Sequence, residues 1–163
     1  MPRIYTRFYR PEDILFTSEI CNNCWQEFYP PYIGKSAVAK VVSARKKRPH
    51  KFIPNTKKNF CFVALLKGKI VGFSVGEVKQ KKAHLIALYI EPKHTGKGIG
   101  SHLIKRFFRQ IKGQKLKKAF VETLVKNKRA IKLYKSFGFE PVREKYFFTR
   151  GVKRRVLVLE KML

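Results

Sequence analysis

The chain has 163 residues, 44% of them apolar, and sets 38 Lys and Arg against ten Asp and Glu for a formal net charge of +28. That length suits one domain over residues 1–163 with a single substantial core, and no apolar run approaches a membrane-crossing helix. Met1-Pro2-Arg3-Ile4-Tyr5 lacks the apolar stretch of a secretory signal, so the cytoplasm is the expected setting.

Arg3–Tyr9 alternates polar and apolar residues and reads as a first strand. Pro11-Glu12-Asp13 then opens a helix, with acids where a helix N-terminus favours negative charge, and that helix ends near Pro30-Pro31. Its pattern contains Ile14, Cys21, Cys24, Trp25 and Phe28. Cys21 and Cys24 form a lone Cys-x-x-Cys; with no second pair, they read as small buried helix residues rather than a zinc or redox site. A second helix runs from Ser36 to about Lys46 over Val38, Val41 and Val42. It leads into a basic, irregular stretch, Arg45-Lys46-Lys47-Arg48 with Lys51, Lys57 and Lys58, broken by Pro49 and Pro54. This reads as a loop able to reach a ligand.

Phe60–Leu66 and Ile70–Lys79 read as strands joined at Lys67-Gly68-Lys69, and Lys82–Ile90 as a third. The third strand enters Glu91-Pro92-Lys93-His94-Thr95-Gly96-Lys97-Gly98-Ile99-Gly100. A strongly periodic helix then runs to about Gly113, with Ile99, Leu103, Ile104, Phe107, Phe108 and Ile111 on one face. Lys105, Arg106, Arg109 and Lys112 fall opposite, and Lys115-Leu116-Lys117-Lys118 extends the positive charge. Lys118–Val125 is a strand, Lys128–Phe137 a helix capped by Asn127 and stopped at Gly138. Pro141–Arg150 and Val152–Met162 form a closing antiparallel pair around Arg150-Gly151. The order is βααβββαβαββ, an α/β sheet whose ligand is expected beyond a strand end.

The glycine turn carries the chemistry. Glycines let backbone N–H groups converge, and the first N–H groups of a helix have no internal partner, so phosphate or pyrophosphate suits the place. Glycines at 96, 98 and 100 match neither Gly-x-x-x-x-Gly-Lys-Ser/Thr nor Gly-x-Gly-x-x-Gly. A tight turn that binds nothing is the plainer alternative.

Two segments resemble one family. Pro92-x-x-x-Gly96-Lys97-Gly98-Ile99-Gly100 between strand and helix is similar to the acetyl-CoA motif of the GNAT N-acetyltransferases. Asn127-Lys128-Arg129-Ala130-Ile131-Lys132-Leu133-Tyr134, then Phe137-Gly138-Phe139, resembles that family's second motif, and the element order agrees. The resemblance implies the GNAT fold: a mixed, mostly antiparallel sheet of about seven strands flanked by four helices. It implies acetyl-CoA as cosubstrate and no metal, with the pyrophosphate on Thr95, Gly96, Lys97, Gly98, Ile99 and Gly100. Backbone groups of Leu88 and Ile90 would pair with pantetheine, an N–H there could hold an oxyanion, and Asn127 would contact the cofactor. Thr95 departs from the family, which usually has Arg or Gln there.

The family resemblance makes Tyr134 the donor to the leaving thiolate and a cofactor contact; the alternative is a core aromatic. Glu122, on the strand twelve residues before Tyr134, is the expected base, in the pattern of acetyltransferases acting on ribosomal-protein N-termini, which this chain resembles most. A salt bridge to one of the many lysines is the alternative for Glu122. Glu77 is the reserve, and a water chain needs neither. His94 is a lesser phosphate candidate, whereas Trp25, Phe28 and Tyr29 belong either to a wall of the acceptor cleft or to the core.

The leading expectation is acetyl transfer by direct attack in a ternary complex to a primary amine, above all a protein or peptide N-terminus. Lysine side chains, histone tails and polyamines would be repelled by a +28 chain. An amine borne on RNA, such as aminoacyl-tRNA, is the second reading, with the basic 45–58 and 105–118 stretches contacting RNA or the ribosome. A non-catalytic nucleic-acid-binding module of the same fold is the third.

Overall fold

A computed structural model describes residues 2–49 and 58–163. Seven strands form one sheet: β1 (Ile4–Phe8), β2 (Asn59–Leu66), β3 (Lys69–Lys79), β4 (Lys82–Ile90), β5 (Lys118–Leu124), β6 (Glu140–Thr149) and β7 (Val152–Met162). Their order across the sheet is β1-β2-β3-β4-β5-β7-β6, and every pairing is antiparallel except β4 with β5.

Helices cover both faces. On one, α1 (Ile14–Phe28) and α3 (Lys35–Lys47) lay Ile20, Cys24, Val38 and Val42 against Cys61, Val63, Phe73 and Val75. On the other, α4 (Ile99–Ile111) buries Ile99, Leu103, Ile104, Phe107 and Ile111, joined by α5 (Lys128–Ser136). Each fully buried Leu, Ile or Phe contributes about 2–3 kcal/mol by removing apolar surface from water, so the α4 stripe is a principal source of stability.

Three expectations need correction. Among the described residues there are five helices rather than four, because Pro30 and Pro31 do not merely end α1: they start a further turn, α2 (Pro30–Ile33). Proline is suited to that first helical turn, where its missing N–H costs nothing. Pro11–Asp13 is a separate 3-10 turn ahead of α1. Arg106 does not lie on a wholly solvated face; its guanidinium sits over the rings of Phe62 and Phe8, 4.7 and 5.2 Å from their centroids. Of the expected basic loop, Lys51 and Lys57 lie outside the described residues. Among the described residues no helix is long and apolar enough to cross a membrane.

A buried carboxylate fixes where α1 enters. Asp13 accepts from Arg7 Nη1 and Nη2 at 2.7 and 2.9 Å and from the Arg10 amide at 2.8 Å, tying β1 to the start of the helix. Arg7, then the Arg10 amide, hold its carboxyl below the usual range against the opposing effect of burial. Asp13→Ala should cost about 2–3 kcal/mol in urea unfolding at pH 7, as expected for hydrogen bonds between charged groups. A carboxyl lowered in the folded state stabilises fully above its unfolded value of about 3.9 and loses this contribution as pH falls through the folded value. The difference between wild type and variant should therefore shrink on acidification below pH 4; a constant difference would show that the ion pair contributes nothing.

Candidate active site

β4 and β5 pair only from Lys82↔Lys118 to Leu85↔Val121, although β4 continues to Ile90 and β5 to Leu124. The parting coincides with a bulge. Val75 faces Ala87 and Gly76 faces Leu85, so Ile86 is an extra residue in β4. A bulge bends its strand and resets its alternation. Beyond it β4 still pairs with β3, and the Glu91 amide donates to the Val71 carbonyl at 2.9 Å. Antiparallel alternation then turns the backbone groups of Ala87 and Tyr89 toward β3 and those of Leu88 and Ile90 toward the open gap. Here lies the unpaired strand edge anticipated from Leu88 and Ile90. Cys24 Sγ donates to the Ile90 carbonyl at 3.0 Å, leaving that oxygen a second lone pair. Burial pushes the Cys24 thiol up to about 12, so it remains a donor and not a nucleophile at neutral pH.

At its far end the edge meets the glycine turn. Gly96 and Gly98 have φ of 79° and 80°, a left-handed backbone that glycine adopts without strain, and Gly98 is the N-cap of α4. A Cβ at either would meet nothing within 4 Å, so the loop is open on its ligand side. Gly100 is glycine for another reason: a Cβ there would come within 2.9 Å of Leu133 Cδ2 and 3.1 Å of Ile90 Cδ1. That contact brings α5 close to the loop. The amides from Gly98 into the first turn of α4 are the helix's unpaired donors. Thr95 is the exception in the expected set, since its amide and Oγ1 both bond to the Pro92 carbonyl, at 3.2 and 2.9 Å. Lys97 Nζ lies 3.4 Å from His94 Nδ1. Burial, then Lys97 and Lys93, lower the His94 pKa, so the ring is neutral at pH 7.

Two adjoining cavities, of about 320 and 290 Å³, occupy the gap, and Leu88, Tyr89, Leu124, Asn127, Ala130 and Tyr134 line both. The first reaches Thr95, at the start of the glycine turn, and Lys126, Lys128 and Arg129. The second opens on Ile86, Glu122, Phe147 and Arg154. Asn127 caps α5 through Oδ1, which accepts from the Ala130 amide at 3.1 Å. This leaves its Nδ2 as a donor beside the cleft. Tyr134 is 5% exposed. Burial first, and then Tyr29, raise its phenol pKa well above the usual range, so the group is protonated at every physiological pH.

The wall opposite α5 comes from the end of α1. Tyr29 stacks on Trp25 with centroids 4.2 Å apart and also lines both cavities, while Phe28 lines the first. Trp25 is a core residue, 8% exposed, whose Nε1 donates to the Tyr89 hydroxyl at 3.2 Å. Thus Phe28 and Tyr29 face the cleft and Trp25 supports them from behind.

Glu122 lines the second cavity and accepts from Lys145 Nζ at 2.5 Å. Both readings of this residue therefore meet in one side chain: it faces the cleft and is in a salt bridge. Glu77 lines neither cavity; its Oε1 is 3.6 Å from His84 Nδ1. Burial lowers the His84 pKa, with Glu122 and Glu77 opposing, so His84 is largely neutral at pH 7. Cys21, Cys24 and Cys61 are free thiols, and no metal-holding group of three or more His, Cys, Asp or Glu occurs among the described residues.

Sequence reasoning missed Tyr89, Lys145, Phe147 and Arg154. Lys128 and Arg129 stood inside a recognised motif and so had a signal. Phe147 and Arg154 had none, because a β-hairpin brings them to the cleft from the far edge of the sheet.

Comparison with known proteins agrees with this geometry. Residues 20–139 match the model of the acetyltransferase (GNAT) family. N-alpha-acetyltransferase 30 of Xenopus laevis is 33% identical over 94 residues, 54% of this chain and 33% of that protein. The [ribosomal protein bS18]-alanine N-acetyltransferase of Escherichia coli K12 is 23% identical over 94 residues, 56% of this chain and 64% of the relative. The chain thus spans a third of the first relative's length and less than two thirds of the second's. In fold it is similar to the PaiA N-acetyltransferase of Thermoplasma acidophilum solved with coenzyme A, with a TM-score of 0.78, 19% identity, and 99% of each chain covered. The motifs, the parted strands and the family match agree: this chain belongs to the acetyltransferase (GNAT) family.

Proposed function

We propose that the chain moves the acetyl group of acetyl-CoA to the α-amine of a protein or peptide N-terminus by direct attack in a ternary complex. The observation that carries this is the cleft that runs from Thr95, beside the glycine turn, along the free edge of β4 at Leu88 and Ile90 to Tyr134. Acetyl-CoA fits it. The open loop and Lys97, with Lys128 and Arg129 across the cleft, suit a pyrophosphate. The outward-turned groups of Leu88 and Ile90 suit the amides of pantetheine, and Asn127 Nδ2 remains to donate. The cosubstrate supplies an activated acyl group.

The protein supplies positioning and two proton transfers. As the amine nitrogen bonds to the acetyl carbon, the C–S bond breaks, Tyr134 gives its proton to the departing sulfur, and Glu122 takes the amine proton directly or through water. Lys145 holds one oxygen of Glu122, which aims the carboxylate. An α-amine is favoured over lysine side chains because ten acids against 38 cations give a cationic acceptor little to bind. The relatives named for α-amine and ribosomal-protein acetylation support the same choice, and the proposed setting is the cytoplasm.

A second reading, an amine carried on RNA, rests on the basic groove of about 720 Å³ where Lys40 and Lys47 of α3, with Arg48 just beyond it, line the wall together with Arg150 at the β6–β7 turn. Such a surface would contact RNA or a ribosome with steep salt dependence.

Tyr134→Phe should lower turnover by about tenfold or more while acetyl-CoA binding stays within about twofold, the signature of an interaction made only in the transition state. Unchanged turnover would remove Tyr134 from the mechanism. Incubation of a cell extract with radiolabelled acetyl-CoA, using Tyr134→Phe as blank, should place the label in protein. Label in RNA, lost on deacylation, would favour the second reading; label only in small molecules would overturn both. No label in any fraction would favour a non-catalytic module.

A further inference from the structure

Arg154 is the unexplained residue of the acceptor side. It lies on β7 directly across from Phe147 on β6, and both side chains line the second cavity beside Tyr29 and Glu122. Its Nε is buried without a hydrogen-bond partner among the described residues. Of the cations beside it, Arg155 is matched with Glu144 and Lys145 with Glu122, while Lys153 lies over the Tyr146 ring. Strand alternation turns Arg155 outward to its acid and Arg154 inward to none. Glu122 is the single carboxylate lining either cavity, and Lys145 already holds it.

A guanidinium cannot discard its proton, and taking it from water without a counter-charge is costly. The fold gains nothing evident from that cost. With Glu122 held by Lys145, a carboxylate brought by the ligand is the group that can match Arg154. A cation alone beside the amine site would repel an α-ammonium, but the second cavity holds both signs. Glu122 attracts the amine at the parting of β4 and β5, and Arg154 attracts a carboxylate nearer the β6–β7 hairpin.

Building on the α-amine reading above, we infer that Arg154 selects the acceptor and that the preferred acceptor is a peptide N-terminus with Asp or Glu among its first two residues. The guanidinium fork takes that side-chain carboxylate in paired charge-assisted hydrogen bonds, and the Phe147 ring packs beside it. The second cavity then binds the two ends of a short dipole, which fixes the amine's approach as well as its identity.

The test uses short peptides amidated at the C-terminus, so that the side chain is the sole acceptor carboxylate, in pairs differing by Asp/Asn or Glu/Gln at residue one or two. Wild-type protein should show a kcat/KM about tenfold or more higher for the acid member of a pair, chiefly through KM, as expected for a charge-assisted bond. Arg154→Gln should collapse that ratio toward one, and Arg154→Glu should invert the preference toward peptides with Lys at the same position. Thermal unfolding of both variants checks that they fold. A merely structural arginine would lower every rate alike, and that outcome overturns the inference. Equal rates for acid and amide peptides in wild type would overturn it too, with the α-amine reading intact. Acetylation of free aspartate and glutamate but of no peptide overturns both.

Discussion

After Leu85 and Val121, β4 and β5 stop pairing while each continues along its other neighbour, and the remaining features of the site depend on that parting. A sheet interior does not ordinarily leave a row of amides unpaired, because buried backbone groups without partners are costly. The cost is met locally. The Ile86 bulge turns the edge outward, Cys24 takes the Ile90 carbonyl, and α5 approaches closely enough that Gly100 cannot carry a side chain. What stays unpaired is the strip that an extended ligand would complete as a further strand.

The two faces of the sheet then divide the work. The α4 face is apolar and rigid, and its helix begins at the loop, so the loop amides are held by the stripe from Ile99 to Ile111. The α1 face carries the adjustable chemistry. Tyr29 reaches both cavities from the end of a helix that Asp13 fixes at its start, and the β6–β7 hairpin brings Phe147 and Arg154 from the other side. In the proposed reading, cofactor end and acceptor end are thus built by different layers, which lets acceptor choice vary without disturbing the loop.

Charge follows the same division. With 38 cations against ten acids, a carboxylate is the scarce group, and the described acids that line the sheet are mostly in ion pairs. Burial separates the remaining titratable groups: it keeps Tyr134 protonated and His84 largely neutral, while Glu122, paired with Lys145, faces the cleft as an acceptor. The proposed acyl transfer to an amine calls for a proton donor and a proton acceptor on either side of such a gap.

Much of this was legible in the chain itself. Period-3.6 patterning gave α4, alternation gave the first strand, and the glycine turn was readable from Gly96, Gly98 and Gly100 between strand and helix, because these are short-range features that each segment expresses alone. Asn127 was readable as a cap for the same reason. The sequence could not tell that Thr95 uses its amide within its own turn, that Arg106 folds over Phe62, or that Lys145 answers Glu122, since those partners meet only when distant segments dock. Arg154 is the clearest case. In the sequence it is one of 38 cations; only the register of β7 against β6, and the gap that β4 leaves beside them, separate it from its neighbour Arg155 and turn it to a cavity whose one lining carboxylate, Glu122, is already held by Lys145. Residue type and local period determine elements and motifs, whereas charge compensation is a property of the packed sheet and is decided there.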